Sequence, residues 1–113
     1  MVRNRAREFG VDVSHVAWES DGRVGLFFVE YGASPRPSSV HYDRLGSVFS
    51  ELRGVTLDWP KILLGARAYH TTGITAALSD RTAAEVSSSL AAARAGGLLT
   101  SYDLNYRRRL WWE

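Results

Sequence analysis

The apolar residues in the first half of the chain follow the two-residue period of β-strands. Residues 16–19 and 24–31 are rich in β-branched and aromatic residues, and the Asp21-Gly22 pair between them is typical of a tight hairpin turn. A loop with two prolines follows, and residues 39–42 predict a third short strand. We therefore predict an antiparallel β-meander that carries apolar residues on both of its faces.

The second half of the chain has the mixed pattern of an α/β unit. Residues 68–72 predict a core strand, and residues 73–75 predict a loop after it. Apolar residues at three- and four-residue spacing predict a helix over residues 80–95, capped by Ser79. The apolar run at residues 98–102 predicts a second buried strand. Such a unit almost always crosses over between parallel strands, so both strand ends should open on one edge of the sheet.

The remaining segments predict short helices. Residues 3–9 are typical of the last turns of a helix that ends at Gly10, and residues 48–52 predict a single helical turn. Asp58 is placed to cap another short helix, with Pro60 in its first turn. The last two helices would connect the meander to the strand-helix-strand unit.

Length and composition limit the classes of function. At 113 residues the chain is one domain or part of one. Its 14 basic and 12 acidic residues are dispersed, which argues against binding of nucleic acid. The sequence has no cysteine for disulfides, thiol catalysis or metal ligation. No apolar run approaches the roughly 18 residues of a membrane span, so we expect no membrane association and a cytoplasmic location.

The three histidines do not indicate a metal site. His15, His41 and His70 have no ligand spacing with one another or with a nearby pair of carboxylates. His41 and His70 instead fit positions in strands. We therefore assign no metal-binding residue from the sequence.

Two arginines and one tyrosine are the strongest candidates for ligand binding. The planar fork of a guanidinium matches a carboxylate, so Arg44 and Arg107 could together select an acidic ligand. Tyr42 would add a hydroxyl group and a flat face. Other interpretations stay open for each residue taken singly, including a packed strand aromatic for Tyr42 and a surface position for Arg44. Asp103 and Asn105 would equally suit a loop in which they satisfy backbone groups.

Four short motifs surround these candidates: GLFF at residues 25–28, VHYDR at 40–44, TGIT at 72–75 and DLNYR at 103–107. Together they resemble the ribokinase-like (PfkB) carbohydrate kinases, most closely the 2-keto-3-deoxygluconate kinase branch, also named 2-dehydro-3-deoxygluconokinase. The resemblance covers nearly the whole chain. It implies an α/β, ribokinase-like fold in which residues 12–44 form a β-meander lid. Residues 45–113 would form part of the α/β core, with one βαβ unit of its parallel sheet.

The resemblance also implies which residues face the substrate, a small-molecule sugar acid. The implied positions are Phe27, Tyr42, Arg44, Ile74, Asn105 and Arg107. Some members of the family carry a tyrosine where this chain has Phe27. Loss of that hydroxyl removes one hydrogen bond, worth about 0.5 to 1.5 kcal/mol net, so substrate preference is less certain than family membership.

The reaction implied by the resemblance is transfer of the ATP γ-phosphate, with Mg²⁺, to a hydroxyl of the sugar acid under a closing lid. In the family, the catalytic base and the phosphate-binding backbone lie in a Gly-Ala-Gly-Asp motif that follows DLNYR. This sequence ends at Glu113 without such a motif. We therefore expect a fragment with no catalytic residue of its own, inactive alone, to which ATP and Mg²⁺ do not bind well.

Two alternatives to a kinase fragment stay open. The first is a non-catalytic sugar-binding or dimerisation module, in which the lid pairs two copies as a homodimer, as it does in many members of the family. The second is an incomplete product that does not fold stably. The reason for the second alternative is that a parallel sheet of about two strands would leave edges unpaired and apolar faces uncovered. The sequence does not separate these alternatives.

Overall fold

A computed structural model describes residues 1–111 of the chain. The strands form two separate two-stranded sheets, one antiparallel and one parallel. Within the described residues, no helix is both long and apolar enough to cross a membrane. The predicted core range extends to residues 112 and 113, which lie outside the described residues. The elements in chain order are α1 Val2–Glu8, β1 Leu26–Glu30, β2 Ser39–Asp43, α2 Val48–Glu51, α3 Trp59–Ile62, β3 Ala68–Thr72, α4 Gly73–Ala76, α5 Asp80–Ala95, β4 Leu99–Asp103 and α6 Arg108–Trp111.

The antiparallel sheet has apolar side chains on both faces, as the sequence predicts. Strands β1 and β2 pair with Phe27 opposite Tyr42 and Val29 opposite Val40. These four side chains share one face, because residues directly opposite in a sheet point the same way. Phe28 points to the other face, where it is 58% exposed. Both faces are therefore open to a ligand or to another protein surface.

The predicted first strand and its Asp-Gly hairpin are wrong. Residues 16–19 form no strand, and β1 pairs with β2 across the loop at residues 31–38. The backbone next to Gly22 forms a different hydrogen bond, in which the Val48 N–H donates to the Arg23 carbonyl at 3.0 Å. Gly22 packs so closely against Val48 that an added Cβ would lie 2.5 Å from Val48 Cγ2. The sheet is therefore a two-stranded ribbon rather than a three-stranded meander.

The predicted strand-helix-strand unit is confirmed. The prediction that its second strand is buried is wrong, because all five residues of β4 are exposed. Strands β3 and β4 are parallel, and α5 packs on one face of them. The Tyr69 hydroxyl in β3 donates to Ser89 Oγ in α5 at 2.7 Å, and Ser89 Oγ donates to the Val86 carbonyl at 2.8 Å. This pairing satisfies a hydroxyl that is fully buried between helix and sheet. The buried side chains of α5 are Thr82, Val86, Ser89 and Ala93.

Side-chain caps start the helices where the sequence predicts them. Ser79 Oγ accepts from the Thr82 N–H at 3.3 Å, and Thr82 Oγ1 accepts from the Ser79 N–H at 3.0 Å, which completes a capping box. Asp58 accepts from the Lys61 N–H at 3.2 Å to start α3.

Two segments after the core strands differ from the prediction. Residues 73–75 belong to the one-turn helix α4 rather than to a loop, because Thr72 Oγ1 accepts from the Ile74 N–H at 3.4 Å and caps that turn. The run of arginines after DLNY also forms a helical turn, α6, where no helix was predicted. Both turns begin at the same edge of the parallel sheet, where the strands end.

One face of the parallel sheet is open in the described part of the chain. Leu99 on this face is 74% exposed. His70 and Ser101 lie beside it, with His70 Nδ1 3.1 Å from Ser101 Oγ. Only Val86 and Ala93 are buried hydrophobic residues among those described. The described residues therefore enclose a small core and leave much apolar surface exposed.

Candidate functional site

Three of the predicted substrate-facing residues form one stack on the antiparallel ribbon. The rings of Phe27 and Tyr42 lie 6.4 Å apart between centroids, and the Arg44 guanidinium carbon lies 4.5 Å from the Tyr42 ring centroid. Phe27 is the cross-strand partner of Tyr42. The two rings are 65% and 55% exposed. The stack thus offers two exposed aromatic rings, tilted by 41° to each other, beside a cation.

A second arginine holds this end of the ribbon in place. Arg23 donates to both carboxylate oxygens of Asp43, at 3.1 and 2.6 Å, and to the carbonyls of Asp43 and Leu45 at 3.2 and 2.6 Å. The two carbonyls lie on either side of Arg44 in the chain. Arg23 was not identified from the sequence, because nothing in the sequence indicates a contact across 20 residues.

The next two predicted residues lie together at the ends of the parallel strands. Thr72 Oγ1, at the end of β3, accepts from Asn105 Nδ2 and from the Ile74 N–H, both at 3.4 Å. Asp103 Oδ1 accepts from the Asn105 N–H at 2.9 Å. This hydrogen bond supports the backbone of Asn105 at a φ of 39°. Ile74 and Asn105 are both half-buried. Asp103 thus satisfies a backbone group of the loop, as the alternative interpretation of the sequence has it.

Gly73 sets how closely the two strand ends approach. A Cβ at this position would lie 2.3 Å from the Leu104 carbonyl oxygen and 3.4 Å from Tyr102 Oη. The carbonyl belongs to the backbone and cannot move without shifting the end of β4. Only glycine allows the start of α4 to pass this close to the DLNYR segment.

Arg107 is not brought to either group of residues. Its side chain is exposed, and Nη1 donates to the Tyr106 carbonyl at 3.2 Å. Its predicted contact with substrate therefore stays a prediction. A cavity of about 310 Å³ instead separates the Tyr42 and Arg44 end of the ribbon from α6, and Arg109 lines its far side. Its walls include Tyr42, Arg44, Leu45, Leu78, Arg109 and Leu110.

The chain is similar in sequence and in structure to known proteins. No family model matches the chain. Over 110 residues the chain is 37% identical to 2-dehydro-3-deoxygalactonokinase from Haloferax volcanii, a match that covers 97% of this chain and 34% of that protein. The crystal structure of a PfkB family carbohydrate kinase from Listeria grayi matches with a TM-score of 0.91 and 33% identity over 98% of this chain. The chain resembles one third of a PfkB carbohydrate kinase.

A second solved structure gives the same result. The crystal structure of 2-dehydro-3-deoxygluconokinase from Thermotoga maritima matches with a TM-score of 0.85 and 41% identity, over 96% of this chain and 33% of that one. The Listeria grayi kinase is matched over 34% of its length. The resemblance predicted from the motifs is therefore confirmed, as is the α/β, ribokinase-like fold class. The chain spans about a third of the length of the relatives that it matches.

Proposed function

We propose that this chain supplies the sugar-facing part of an ATP-dependent carbohydrate kinase that acts on 2-keto-3-deoxygluconate or a similar sugar acid. The observation that carries the proposal is the exposed Tyr42 and Arg44 stack at the wall of a cavity of about 310 Å³. Cavities that bind small molecules start at about 300 Å³. The names of the curated relatives, 2-dehydro-3-deoxygalactonokinase and 2-dehydro-3-deoxygluconokinase, support the same substrate class.

In this proposal, the ribbon recognises the acid and the carbon chain of the sugar together. The Arg44 guanidinium pairs with the carboxylate through two parallel hydrogen bonds. Stacking on Tyr42 limits the orientations of that guanidinium before the ligand arrives. The exposed rings of Tyr42 and Phe27 pack against the C–H faces of the sugar.

Ile74 and Asn105 do not line the cavity, so in this proposal the strand ends reach the sugar when the ribbon moves toward them. Asn105 Nδ2 is already used by Thr72, which leaves the Asn105 amide oxygen to accept from a sugar hydroxyl. Ile74 supplies apolar contact beside it, and Arg107 adds a second guanidinium, as the resemblance implies. Movement of the ribbon toward the strand ends would exclude water from the bound sugar acid.

The phosphate donor in this proposal is ATP with Mg²⁺, which carries the charge of the transferred group. Within residues 1–111, no group of three or more His, Asp or Glu side chains could hold a metal ion. We therefore assign these residues only to binding and orienting the sugar acid and to excluding water. No step at the phosphate is assigned to them.

A thermal melt of the purified chain with and without 2-keto-3-deoxygluconate tests this function. Ligand that binds only the folded state raises the melting temperature. We expect such a rise for the unchanged chain and for Arg94→Gln, a control on the exposed side of α5. We expect none for Arg44→Gln, nor for the unchanged chain with neutral 2-deoxyglucose. Equal rises for Arg44→Gln and Arg94→Gln would contradict the proposal, as would no rise at millimolar sugar acid.

A second candidate function, a non-catalytic module that pairs two copies through the lid, is favoured by the other face of the ribbon. Leu26 and Phe28, two residues apart in β1, share this face, and both are exposed. We expect the chain to elute as a dimer and Phe28→Glu to elute as a monomer. Phe9→Glu, the same change at an exposed residue directly after α1, should leave the dimer intact. A monomer at all concentrations would exclude this function.

A further inference from the structure

The cavity between the ribbon and α6 has two charged lining residues, Arg44 and Arg109, and both are cationic. The rest of its wall is the Tyr42 ring, a serine and three leucines. Apolar walls strengthen the field of the two guanidinium groups, because they screen charge less than water does. The lining therefore favours an anion of small size.

Neither guanidinium is neutralised by a residue within 1–111. In the part of the chain that the structure describes, no carboxylate lies within 4.0 Å of Arg44 or Arg109. The acid next to Arg44 in the sequence, Asp43, is engaged by both nitrogens of the Arg23 fork. Two cations that face one cavity repel each other until an anion enters between them.

The fold brings Arg109 to this cavity and leaves the two arginines before it out of the lining. The Leu110 N–H donates to the Arg107 carbonyl at 2.8 Å, which closes the turn into α6. That turn places Arg109 and half-buried Leu110 on the cavity wall. Arg107 and Arg108 do not line it. Of the three consecutive arginines, only Arg109 therefore lines the cavity, because the helical turn fixes the direction of each side chain.

We infer that Arg109 is a further carboxylate-binding residue, which together with Arg44 forms a two-arginine site across this cavity. The inference rests on the proposed function, because the carboxylate is that of the bound sugar acid. Phosphate shares the same chemistry of recognition. A 2-keto acid is favoured because the Tyr42 ring at the cavity wall suits a flat carbon skeleton next to the charge.

Isothermal titration of three variants tests the inference, with 2-keto-3-deoxygluconate, pyruvate and inorganic phosphate as separate ligands. We expect Arg109→Gln to weaken binding of 2-keto-3-deoxygluconate and of pyruvate by about 10-fold or more, the usual loss for a hydrogen bond to a charged group. Arg108→Gln removes the same charge from the same helical turn outside the cavity, so it should stay within about 2-fold. Arg44→Gln should match Arg109→Gln.

The outcomes separate this inference from the proposed function. If Arg44→Gln weakened binding while Arg109→Gln and Arg108→Gln both left it nearly unchanged, the inference would be overturned but the proposed function would not. Arg109-dependent binding of pyruvate without binding of the sugar acid would support the site and contradict the proposed substrate. Binding of phosphate but not of pyruvate would overturn the carboxylate assignment, and failure of all three ligands would overturn both. Because Arg109 is exposed, the unliganded variant should melt at the same temperature as the unchanged chain.

Discussion

The guanidinium carbon of Arg44 lies 4.5 Å from the centroid of the Tyr42 ring, two residues before it on the same ribbon. A cation over an exposed aromatic face is stabilised by about 0.5 to 1 kcal/mol. The gain is small for the folded chain. The larger consequence of the stacking is that the Arg44 guanidinium has a defined direction before any ligand binds. This lowers the entropic cost of binding.

Under the proposed function, removal of the Tyr42 ring should therefore weaken binding of the sugar acid although Arg44 is retained. We expect Tyr42→Leu to raise the dissociation constant for 2-keto-3-deoxygluconate by about 2- to 5-fold, in proportion to the lost cation–π energy. Tyr42→Phe keeps the ring and should lose less. Titration calorimetry measures both values. If Tyr42→Leu bound as tightly as the unchanged chain, the stack would have no part in recognition.

Arg23 should be more important for stability than an ordinary surface arginine. Its fork bridges a carboxylate and two carbonyls, a geometry that a lysine cannot reproduce. After allowance for solvent screening of this half-exposed pair, we expect Arg23→Lys to lower the free energy of unfolding by about 1 kcal/mol. Arg5→Lys, in the exposed Arg5–Glu8 pair, should change it by less than about 0.5 kcal/mol. Denaturant unfolding compares them, and equal losses would show that the Arg23 fork has no special role.

Gly73 should not tolerate a side chain. The Cβ of Gly73→Ala would lie 2.3 Å from the Leu104 carbonyl oxygen, so the end of β4 must shift. Overpacking of this kind costs about 1 to 3 kcal/mol. Gly96→Ala is the matched control, because its closest contact would be the movable tip of Leu98 at 2.9 Å, the backbone oxygens of Ala92 and Ala93 lie at ordinary contact distances of 3.4 and 3.6 Å, and its own backbone is helical. A Gly73→Ala chain that unfolds at the same denaturant concentration as Gly96→Ala would contradict this prediction.

Asp12 should titrate at lower pH than a free aspartate. The N–H of Ser14 donates to its carboxylate at 2.9 Å and the Ser14 hydroxyl at 3.0 Å, and these bonds lower the pKa of Asp12. A pKa that is lower in the folded state stabilises the fold above the unfolded pKa, and this contribution disappears as the pH falls through the folded value.

The measurement for this residue is an NMR titration of the Asp12 carboxyl carbon. Ser14→Ala removes the hydroxyl donor but keeps the backbone donor, so the pKa of Asp12 should rise part of the way to its ordinary value. Ser14→Thr retains a hydroxyl and should leave it low. An Asp12 midpoint that is the same in Ser14→Ala and Ser14→Thr would show that the side-chain bond has no effect.

The elements that depend on neighbours in the chain were predicted well. The capping box at Ser79 and the side-chain cap at Asp58 involve residues three apart, so the sequence alone indicates where these helices start. The apolar runs that became β3 and β4 are likewise local patterns. The motifs around Tyr42 and Asn105 also lie within a few residues each, and the resemblance they indicated is confirmed by the comparisons.

The elements that depend on distant contacts were not predictable in the same way. Asp21-Gly22 has the local signature of a hairpin. The carbonyl of the following residue, Arg23, instead accepts from the Val48 N–H, and residues 16–19 form no strand. The contact of Asn105 with Thr72 spans 33 residues, and no pattern in the sequence marks it.

By itself, the sequence of this protein determined the starts of α3 and α5, the positions of β3 and β4 and the motifs that resemble PfkB carbohydrate kinases, because caps, periodicity and motifs act over a few residues. Only the tertiary structure decided which surfaces face each other. It set Tyr42 and Arg44 against a cavity and selected Arg109 from three adjacent arginines to line the far wall. The physical reason is that the direction of a side chain depends on the turn that carries it and on the packing of elements far apart in the chain.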